Sequence, residues 1–366
     1  MALRLVYLAF TCLALAGCGG GNSASNAPNV AGGDRPKIAV VTNCTDPFWD
    51  LCEAGANKAA KDHNVELLFR QPEKLDAAIQ MPIIEAWVKQ GVNGIAVSVI
   101  DPKGQEEDLT RIAKKVSLIT MDNDAAESTG RLCYVGVDNR EAGRAVGRLV
   151  KKVLPNGGTI AMFIGNNSSA NAIDRSGGVL DELKTPDADG KPGTHPTKKD
   201  VSGKYYGKYF LVDGEAKTDG GPGEKAVTNA RDVLGRLDGV SDICMIGLYA
   251  YNPPAILEAA RAKSLVGKIK IVGFDENLET LKSIATGEIE GTVVQDPFNY
   301  GYKSVEILAA VARGDKSKLL GKGQTPYQVI TKDGGPDQTI NGLLIKFPKA
   351  VDFEKKIRDD LASVKK

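Results

Sequence analysis

The sequence predicts an α/β protein of two similar lobes, each a doubly wound, Rossmann-like parallel sheet with helices on both faces. Short apolar runs of strand length alternate with longer runs that carry a helical apolar spacing, which is typical of such sheets. The alternation reaches about residue 154 and then begins again. Both halves also place an aspartate after a matching strand, Asp122 and Asp275. Because ligands bind at the carboxyl ends of strands in open α/β sheets, a pocket between the lobes is expected.

The first half is predicted to contain five strands and three helices between them. Asp46 is a suitable N-cap for the first helix, and Pro47 fits its first position. Ile79, Ile83 and Trp87 recur at the spacing of one helix face in the second. The strands are expected at 37–41, 65–69, 94–100, 116–120 and 132–137, and the helices at 47–62, 75–90 and 105–115.

The second half is predicted to repeat this order, with one interruption. The segment 186–208 is rich in Gly, Pro, Lys and Asp and is expected to be a surface insertion between a helix and a strand. Strands are expected at 159–164, 209–212, 242–247, 269–274 and 292–294. A helix at 139–154 precedes the repeat. Within the second half, helices are expected at 172–183, 224–237, 254–263 and 299–313, with a charged, helix-like tail at 353–364.

The N-terminus has the composition of an export signal. Arg4 precedes a short apolar run, and Leu15-Ala16-Gly17-Cys18 resembles the lipobox of bacterial lipoproteins. The resemblance implies that Cys18 becomes the lipid-carrying N-terminus of the mature chain, with more than one acyl chain for lasting attachment. Residues 19–34 are small and polar, as in a flexible tether. An ordinary secretory signal with an incidental cysteine is the alternative.

Composition excludes several classes of function. The formal net charge is +1, so no nucleic-acid surface is predicted. The two histidines, His63 and His195, lie in unrelated contexts, which argues against a histidine-based zinc site or a Ser-His-Asp triad. We predict no metal and no cofactor. Cys44 and Cys52 are close enough in sequence to pair in an oxidising compartment, and buried free thiols are the alternative.

Planar polar groups and aromatic rings follow the predicted strands. Carboxylates and amides bond pairs of hydroxyls, arginine donates in a fork, and an aromatic ring covers the C–H face of a sugar. This combination predicts a sugar-binding pocket. The residues in these positions are Asp46, Phe48, Trp49, Asp101, Asp122, Asn123, Asp138, Asn139, the segment 166–171, Arg175, Tyr249, Tyr251, Asn252, Phe274, Asp275, Gln295 and Asp296.

Other roles for these residues remain open from the sequence. Asp122 and Asp275 could cap the helices that follow, Arg175 could form a surface ion pair, and Phe48 could belong to the core. An enzyme is less well supported. No Gly-x-Gly-x-x-Gly follows the first strand of either half, and no Walker or Gly-x-Ser-x-Gly motif is present. Carboxylate pairs could cleave glycosides, but here they are spread over two lobes and mixed with amides.

Seven motifs in order resemble the type I periplasmic sugar-binding proteins, the ribose- and galactose-binding group that serves ABC importers. The resemblance covers about residues 36–313. The motifs are Thr42-Asn-Cys-Thr-Asp-Pro-Phe-Trp49, Ile119-Thr-Met-Asp-Asn123, Tyr134-Val-Gly-Val-Asp-Asn139 with Ala142-Gly143, Ala172-Ile-Asp-Arg175, Tyr251-Asn-Pro-Pro-Ala255, Val272-Gly-Phe-Asp275 and Val294-Gln-Asp-Pro297.

The resemblance implies roles for individual residues. Phe48 and Trp49 would flank the sugar ring, and Asp46 and Asp122 would bond hydroxyls from the first lobe. The remaining residues would complete the cleft. One departure is that Asn123 stands where the family commonly has arginine, which weakens a ribose assignment. The predicted ligand-binding set is Asp46, Phe48, Trp49, Asp122, Asn123, Arg175, Asn252, Asp275 and Gln295.

The resemblance also implies a domain layout and a mechanism. Residues 1–17 would be the signal peptide and 18–35 the tether. The N-terminal lobe would comprise 36–137 and 296–328, the C-terminal lobe 138–295 and 329–350, and the tail 351–366. Three crossings, near Val137, Gln295 and Gln328, would form a hinge.

The implied function is non-enzymatic capture of a monosaccharide at the extracytoplasmic face. The protein would be a lipid-anchored monomer that docks on the permease of an ABC importer. A receptor that reports a sugar or a furanosyl signal to a membrane sensor is the alternative.

Overall fold

The computed structural model describes residues 35–184, 201–320 and 325–362. The predicted signal peptide, Cys18, all of the tether before residue 35 and most of the predicted insertion therefore lie outside the described residues. No helix within the described ranges is long and apolar enough to span a bilayer.

The first sheet has five parallel strands in the order β2-β1-β3-β4-β5. Its central strands β1, β3 and β4 are almost wholly buried, as expected where helices cover both faces, whereas the edge strand β2 is partly exposed. The elements are β1 Lys37–Val41, α1 Pro47–Asp62, β2 Glu66–Arg70, α2 Ala77–Lys89, β3 Gly94–Val97, α3 Glu106–Ala113, β4 Ser117–Met121, a 3-10 turn Glu127–Thr129 and β5 Tyr134–Val135.

The second sheet has a parallel centre with an antiparallel strand at each edge. Its first elements are α4 Asn139–Val153, β6 Gly158–Ile164, α5 Ala170–Lys184, β7 Gly203–Tyr206, β8 Tyr209–Val212, β9 Lys217–Thr218 and α6 Glu224–Arg236. They are followed by β10 Ile243–Gly247, α7 Asn252–Ala262, β11 Lys270–Phe274, α8 Leu278–Thr286 and β12 Gly291–Val294. The last elements of the chain are α9 Pro297–Ala312, β13 Gln328–Thr331, β14 Gln338–Ile340, β15 Leu343–Ile345 and α10 Ala350–Ala362.

The parallel cores of the two sheets have the same strand order. The first sheet runs 2-1-3-4-5, and β8-β6-β10-β11-β12 repeats that order when counted from β6. In this topology the order reverses between the first and third strands, and ligands bind outside the carboxyl ends near that point. The predicted α/β fold of two parallel-sheet lobes is thereby confirmed.

The chain passes between the two sheets at three places. It leaves the first sheet after β5, returns after β12 with α9, and reaches the second sheet again at β13. Helix α9 packs against α1 and the first sheet, whereas β13 pairs with β12. The crossings lie near Val137, Gln295 and Gln328, and their action as a hinge stays a prediction.

Several elements differ from the sequence-based expectations. Tyr205 and Tyr206, expected in a loop, form β7 and pair with β8. Helix α8 was not anticipated, because it has only nine residues and its clearest signals are its caps. The C-terminal segment is not a free tail. Phe353 and Ile357 of α10 are buried in the core of the second lobe, since α10 packs against both α8 and α1.

Glycines bring pairs of helices into backbone contact in both lobes. A Cβ at Gly301 of α9 would overlap the carbonyl oxygen of Cys52 in α1, and one at Gly55 would overlap that of Phe298. In the second lobe, a Cβ at Gly143 of α4 would overlap the carbonyl oxygen of Arg175 in α5. The contact at Gly143 fixes the backbone of Arg175, a candidate site residue.

We predict that Gly301→Ala destabilises the protein by about 1–3 kcal/mol, because the added methyl group forces α9 away from α1. Gly235→Ala in α6 is the matched control. Its Cβ would meet only Lys263 Nζ, at 3.7 Å, so the helix should gain about 0.5–1 kcal/mol from reduced backbone freedom. Urea denaturation measures the free energy of unfolding of both variants. Equal effects of the two substitutions would contradict the close-contact interpretation.

Candidate functional site

Two aspartates occupy equivalent strand ends in the two lobes. Asp122 follows β4 and Asp275 follows β11, and each strand is the fourth of the five-stranded parallel core that the two sheets share. Both have left-handed backbones, with φ of 58° and 74°. Each backbone N–H donates to the next strand, to the carbonyl of Val135 at 3.0 Å and of Val293 at 2.7 Å. Such conformations are uncommon outside glycine and cluster at functional sites.

Neither aspartate caps a helix. Asn277 caps α8 by accepting from two backbone N–H groups, and Ala126 precedes the 3-10 turn that follows Asp122. The capping alternative is therefore excluded for both Asp122 and Asp275.

Arg175 lies between these two carboxylates. Its side chain is 2% exposed, with Nη2 3.5 Å from Asp122 Oδ1 and Nη1 3.6 Å from Asp275 Oδ2. Nε donates to Asn139 Oδ1 at 2.8 Å, and Nη1 donates to the carbonyl of Leu248 at 3.0 Å. Nη2 has no hydrogen-bond partner among the described residues. Burial excludes the surface ion pair and leaves Nη2 without a hydrogen-bond acceptor among the described residues.

Gln295 bridges the two aspartates through its side-chain amide. Its Nε2 donates to Asp275 Oδ1 at 2.6 Å and to Asp122 Oδ1 at 3.3 Å. Its Oε1 accepts from the hydroxyl of Tyr300 at 3.1 Å, which orients the amide. Since Gln295 is the first residue after β12, it lies at a crossing and holds one carboxylate from each lobe.

The start of α1 supplies an aromatic wall. Asp46 accepts from the N–H of Phe48 at 2.8 Å and caps the helix, as predicted. The rings of Phe48 and Trp49 are perpendicular, with centroids 4.8 Å apart. Trp49 Nε1 donates to Asn43 Oδ1 at 2.9 Å, so the indole is held in one orientation. This segment follows β1, next to the point where the strand order reverses.

These groups surround one pocket. The space free of atoms among them is about 410 Å³, part of it open to solvent. Six of the nine predicted residues line it. The lining residues are Asn43, Cys44, Asp46, Phe48, Trp49, Leu75, Asp122, Asn171, Arg175, Gly221, Pro222, Tyr249, Ala250, Tyr251 and Asp275.

The other three predicted residues lie outside this lining. Gln295 supports the aspartates as described above. Asn123 donates to the carbonyl of Val99 and accepts from the N–H of Asn171 at 3.0 Å, so it joins the lobes. Asn252 accepts from the N–H of Tyr249 at 3.1 Å and donates to Asp219 Oδ2 at 2.9 Å. Both amides are occupied by protein partners.

Some lining residues are absent from the predicted ligand-binding set. Asn171, Tyr249 and Tyr251 are among the strand-end residues that indicated a sugar-binding pocket, so their position was a usable signal. Leu75 and Gly221 gave no signal, because they meet only through the fold: a Cβ at Gly221 would lie 3.5 Å from that of Leu75.

Asp219 was also missed. It anchors the loop that carries Gly221 and Pro222 by accepting from the Tyr251 hydroxyl at 2.7 Å and from the Gly221 N–H at 3.0 Å. The loop thereby covers the pocket from the second lobe.

Burial shifts the carboxyl groups of the site. It raises the pKa of Asp275 to about 7, against the opposing effect of Arg175. It raises the pKa of Asp46 to about 6, opposed by the hydrogen bond from Phe48. The pKa of Asp122 is raised for the same reason. Each carboxylate is therefore poorly solvated, which favours a ligand that supplies hydrogen-bond donors.

The four cysteines of the described ranges, Cys44, Cys52, Cys133 and Cys244, are buried free thiols. The structure therefore shows no bond between Cys44 and Cys52. No group of His, Cys, Asp and Glu in the part that the structure describes is arranged to hold a metal ion.

Comparison with known proteins identifies the family. A model described as "Periplasmic binding protein domain" matches residues 38–316, more than half of the chain. The chain belongs to the periplasmic binding protein family. The members of this family are solute-binding proteins rather than enzymes, in agreement with the prediction of a non-enzymatic function.

Individual periplasmic binding proteins align over most of their length. The D-ribose/D-allose-binding protein of Pseudomonas aeruginosa is 23% identical over 81% of this chain and 89% of the relative. The D-allose-binding periplasmic protein of Escherichia coli is 23% identical over 77% of this chain and 86% of the relative. An ABC transporter solute-binding protein of Burkholderia graminis, solved in complex with D-arabinose, is 25% identical. The match has a TM-score of 0.70 and covers 81% of this chain and 96% of the relative.

The raised pKa of Asp46 predicts a pH-dependent stability. Its ordinary pKa of 3.8 rises to about 6 on folding, so its contribution is fully present below pH 4 and is lost as the pH rises to 6. The loss amounts to as much as about 3 kcal/mol. Asp46→Asn keeps an N-cap and removes the titration, so its unfolding free energy should fall less over this range.

Asp76→Asn is the matched control for this measurement. Asp76 caps α2 by accepting from the N–H two residues ahead, as Asp46 does, but on an exposed surface. The control should follow the wild-type curve between pH 4 and 6. If the Asp46→Asn variant also follows the wild-type curve, the buried carboxyl of Asp46 does not contribute to the pH dependence of stability.

Proposed function

We propose that this periplasmic binding protein captures a monosaccharide between its two lobes and delivers it to the permease of an ABC importer. The observation that carries the proposal is the buried Arg175, placed between an aspartate from each lobe with two N–H groups of Nη2 unbonded. Sugar hydroxyls both donate and accept, so they can satisfy the arginine and the carboxylates together. Phe48 and Trp49 supply the apolar surface that covers sugar C–H groups.

The proposed mechanism is hinge closure. Asp46 and Asp122 belong to the first lobe, whereas Arg175 and Asp275 belong to the second. A ligand that bonds groups of both lobes has its full affinity only when they are together, and therefore shifts the equilibrium towards the closed state. The contact of Asn123 with Asn171 joins the lobes in the same arrangement. The names of the aligned relatives, which bind ribose, allose or arabinose, support a monosaccharide as the solute.

Binding of a monosaccharide should raise the thermal stability of the chain beginning at residue 35, which forms one compact unit. A ligand that binds only the folded state stabilises it by about 2.7 kcal/mol at a hundredfold excess over Kd. Pentoses, hexoses, amino sugars and polyols are compared by thermal unfolding, and affinities are measured by calorimetry. Asp122→Asn should weaken binding by about 10-fold to 100-fold, since a charge-assisted hydrogen bond contributes about 1.5–3 kcal/mol.

Asp101→Asn is the control for this substitution. Asp101 also follows a strand of the first sheet, but its side chain accepts from the N–H groups of Lys103 and Gly104 in its own loop. Asp101→Asn should therefore leave the affinity for the monosaccharide unchanged. The absence of any stabilising sugar, or an equal effect of the two substitutions, would contradict the proposed function.

We further propose that the protein is held at the extracytoplasmic face of a membrane by lipid on Cys18, as the lipobox-like sequence indicates. Cys18→Ser should move the protein from the membrane fraction to the soluble fraction and abolish labelling by a palmitate analogue. Cys12→Ser, within the apolar run of the same signal, should change neither. Membrane retention of Cys18→Ser would contradict the anchor and leave the binding function intact.

A further inference from the structure

The pocket holds more negative than positive charge. Asp46, Asp122 and Asp275 line it, and Arg175 is the single cation among its lining residues in the described ranges. The guanidinium lies between Asp122 and Asp275, 3.5 and 3.6 Å from their oxygens. It is therefore already shared by two carboxylates, and Asp46 is left without a cation.

The surroundings of Asp46 do not compensate its charge. The residue is 7% exposed, and Oδ1 accepts one hydrogen bond, from the N–H of Phe48 at 2.8 Å. Oδ2 of Asp46 accepts no hydrogen bond from the described residues. The nearby amide of Gln71 donates instead to Asp50, at 2.9 Å, and its oxygen accepts from the backbone N–H of Asp46. An isolated buried carboxylate is costly, so a group that completes it would be bound favourably.

The neighbouring charges increase this imbalance. Asp50 on the same helix raises the pKa of Asp46 further, beyond the larger effect of burial. Asp46 in turn contributes to the raised pKa of Asp275 across the pocket. Asn123, at the end of β4, is neutral and bonds Val99 and Asn171, so no second cation balances Asp122 from that strand end.

We infer that the solute is a monosaccharide carrying a positively charged amino group, and that Asp46 binds this ammonium. The inference rests on the proposed function and names the class of sugar. An ammonium group offers three donors and no acceptor, which matches a carboxylate that lacks donors. The charged pair is stronger than a hydroxyl bond to the same oxygen. Phe48 and Trp49 beside Asp46 add aromatic surface, to which cations are also attracted.

Calorimetry with three matched sets of ligands tests this inference. Glucosamine, galactosamine and mannosamine are compared with their N-acetyl derivatives and with the parent hexoses, using the chain from residue 35. At least one amino sugar should bind about tenfold or more tightly than both its N-acetyl form and its parent hexose. In Asp46→Asn this preference should disappear, so that the ratio of the affinities for the amino sugar and its parent hexose falls to about one.

The Asn substitution is chosen because it retains the N-cap of α1, and urea denaturation verifies that the variant is folded. Asp101→Asn, whose side chain bonds its own loop, should keep the full preference for the amino sugar. A second variant, Asp46→Glu, keeps the charge and should retain part of the preference.

Each other outcome is informative. Neutral sugars that bind as tightly as the amino sugars, or an Asp46→Asn variant that weakens both classes equally, would overturn the inference and leave monosaccharide binding in place. No binding of any sugar in these sets or in the wider panel of pentoses and polyols would overturn the proposed function as well.

Discussion

A buried guanidinium held between two carboxylates is the constraint on which the site depends. Arg175 would be too costly to bury alone, and Asp122 and Asp275 approach it from different sheets. Gln295 donates to both carboxylates and so holds them at one point despite their separate origins. Nη2 has no hydrogen-bond partner among the described residues, and the proposed monosaccharide would supply one. The electrostatics of the site are the basis for the solute proposed above.

The duplicated fold explains how these groups meet. The same strand order in both lobes puts the fourth strand of each parallel core in an equivalent position, and the chain leaves both strands through an aspartate with a left-handed backbone. The close contact of α4 with α5 through Gly143 fixes the backbone of Arg175. In the first lobe, Gly55 and Gly301 bring α1 equally close to α9, and α1 carries the aromatic wall. Helix packing in each lobe thus positions one side of the pocket.

The pocket is unsymmetrical in charge although the fold is nearly symmetrical. The second lobe contributes an aspartate and the arginine, whereas the first contributes two aspartates and no cation among its described lining residues. Burial raises the pKa of each of these carboxyl groups, which reflects the cost of removing a charged carboxylate from water. A binding protein gains selectivity from such a cost, because a solute that relieves it is favoured over one that does not.

Local patterns in the sequence determined the alternation of strands and helices, the two strand-end aspartates and the cap at Asp46, because these depend on neighbouring residues. They also indicated Phe48, Trp49 and Arg175 for the pocket. Tertiary structure alone decided which strand-end amides face a ligand: those of Asn123 and Asn252 turn to protein partners, while Asn171 lines the pocket. It also decided that Leu75 meets Gly221 and that α10 packs into the body. Contacts between residues far apart in the chain depend on how the two lobes come together, which no local pattern records.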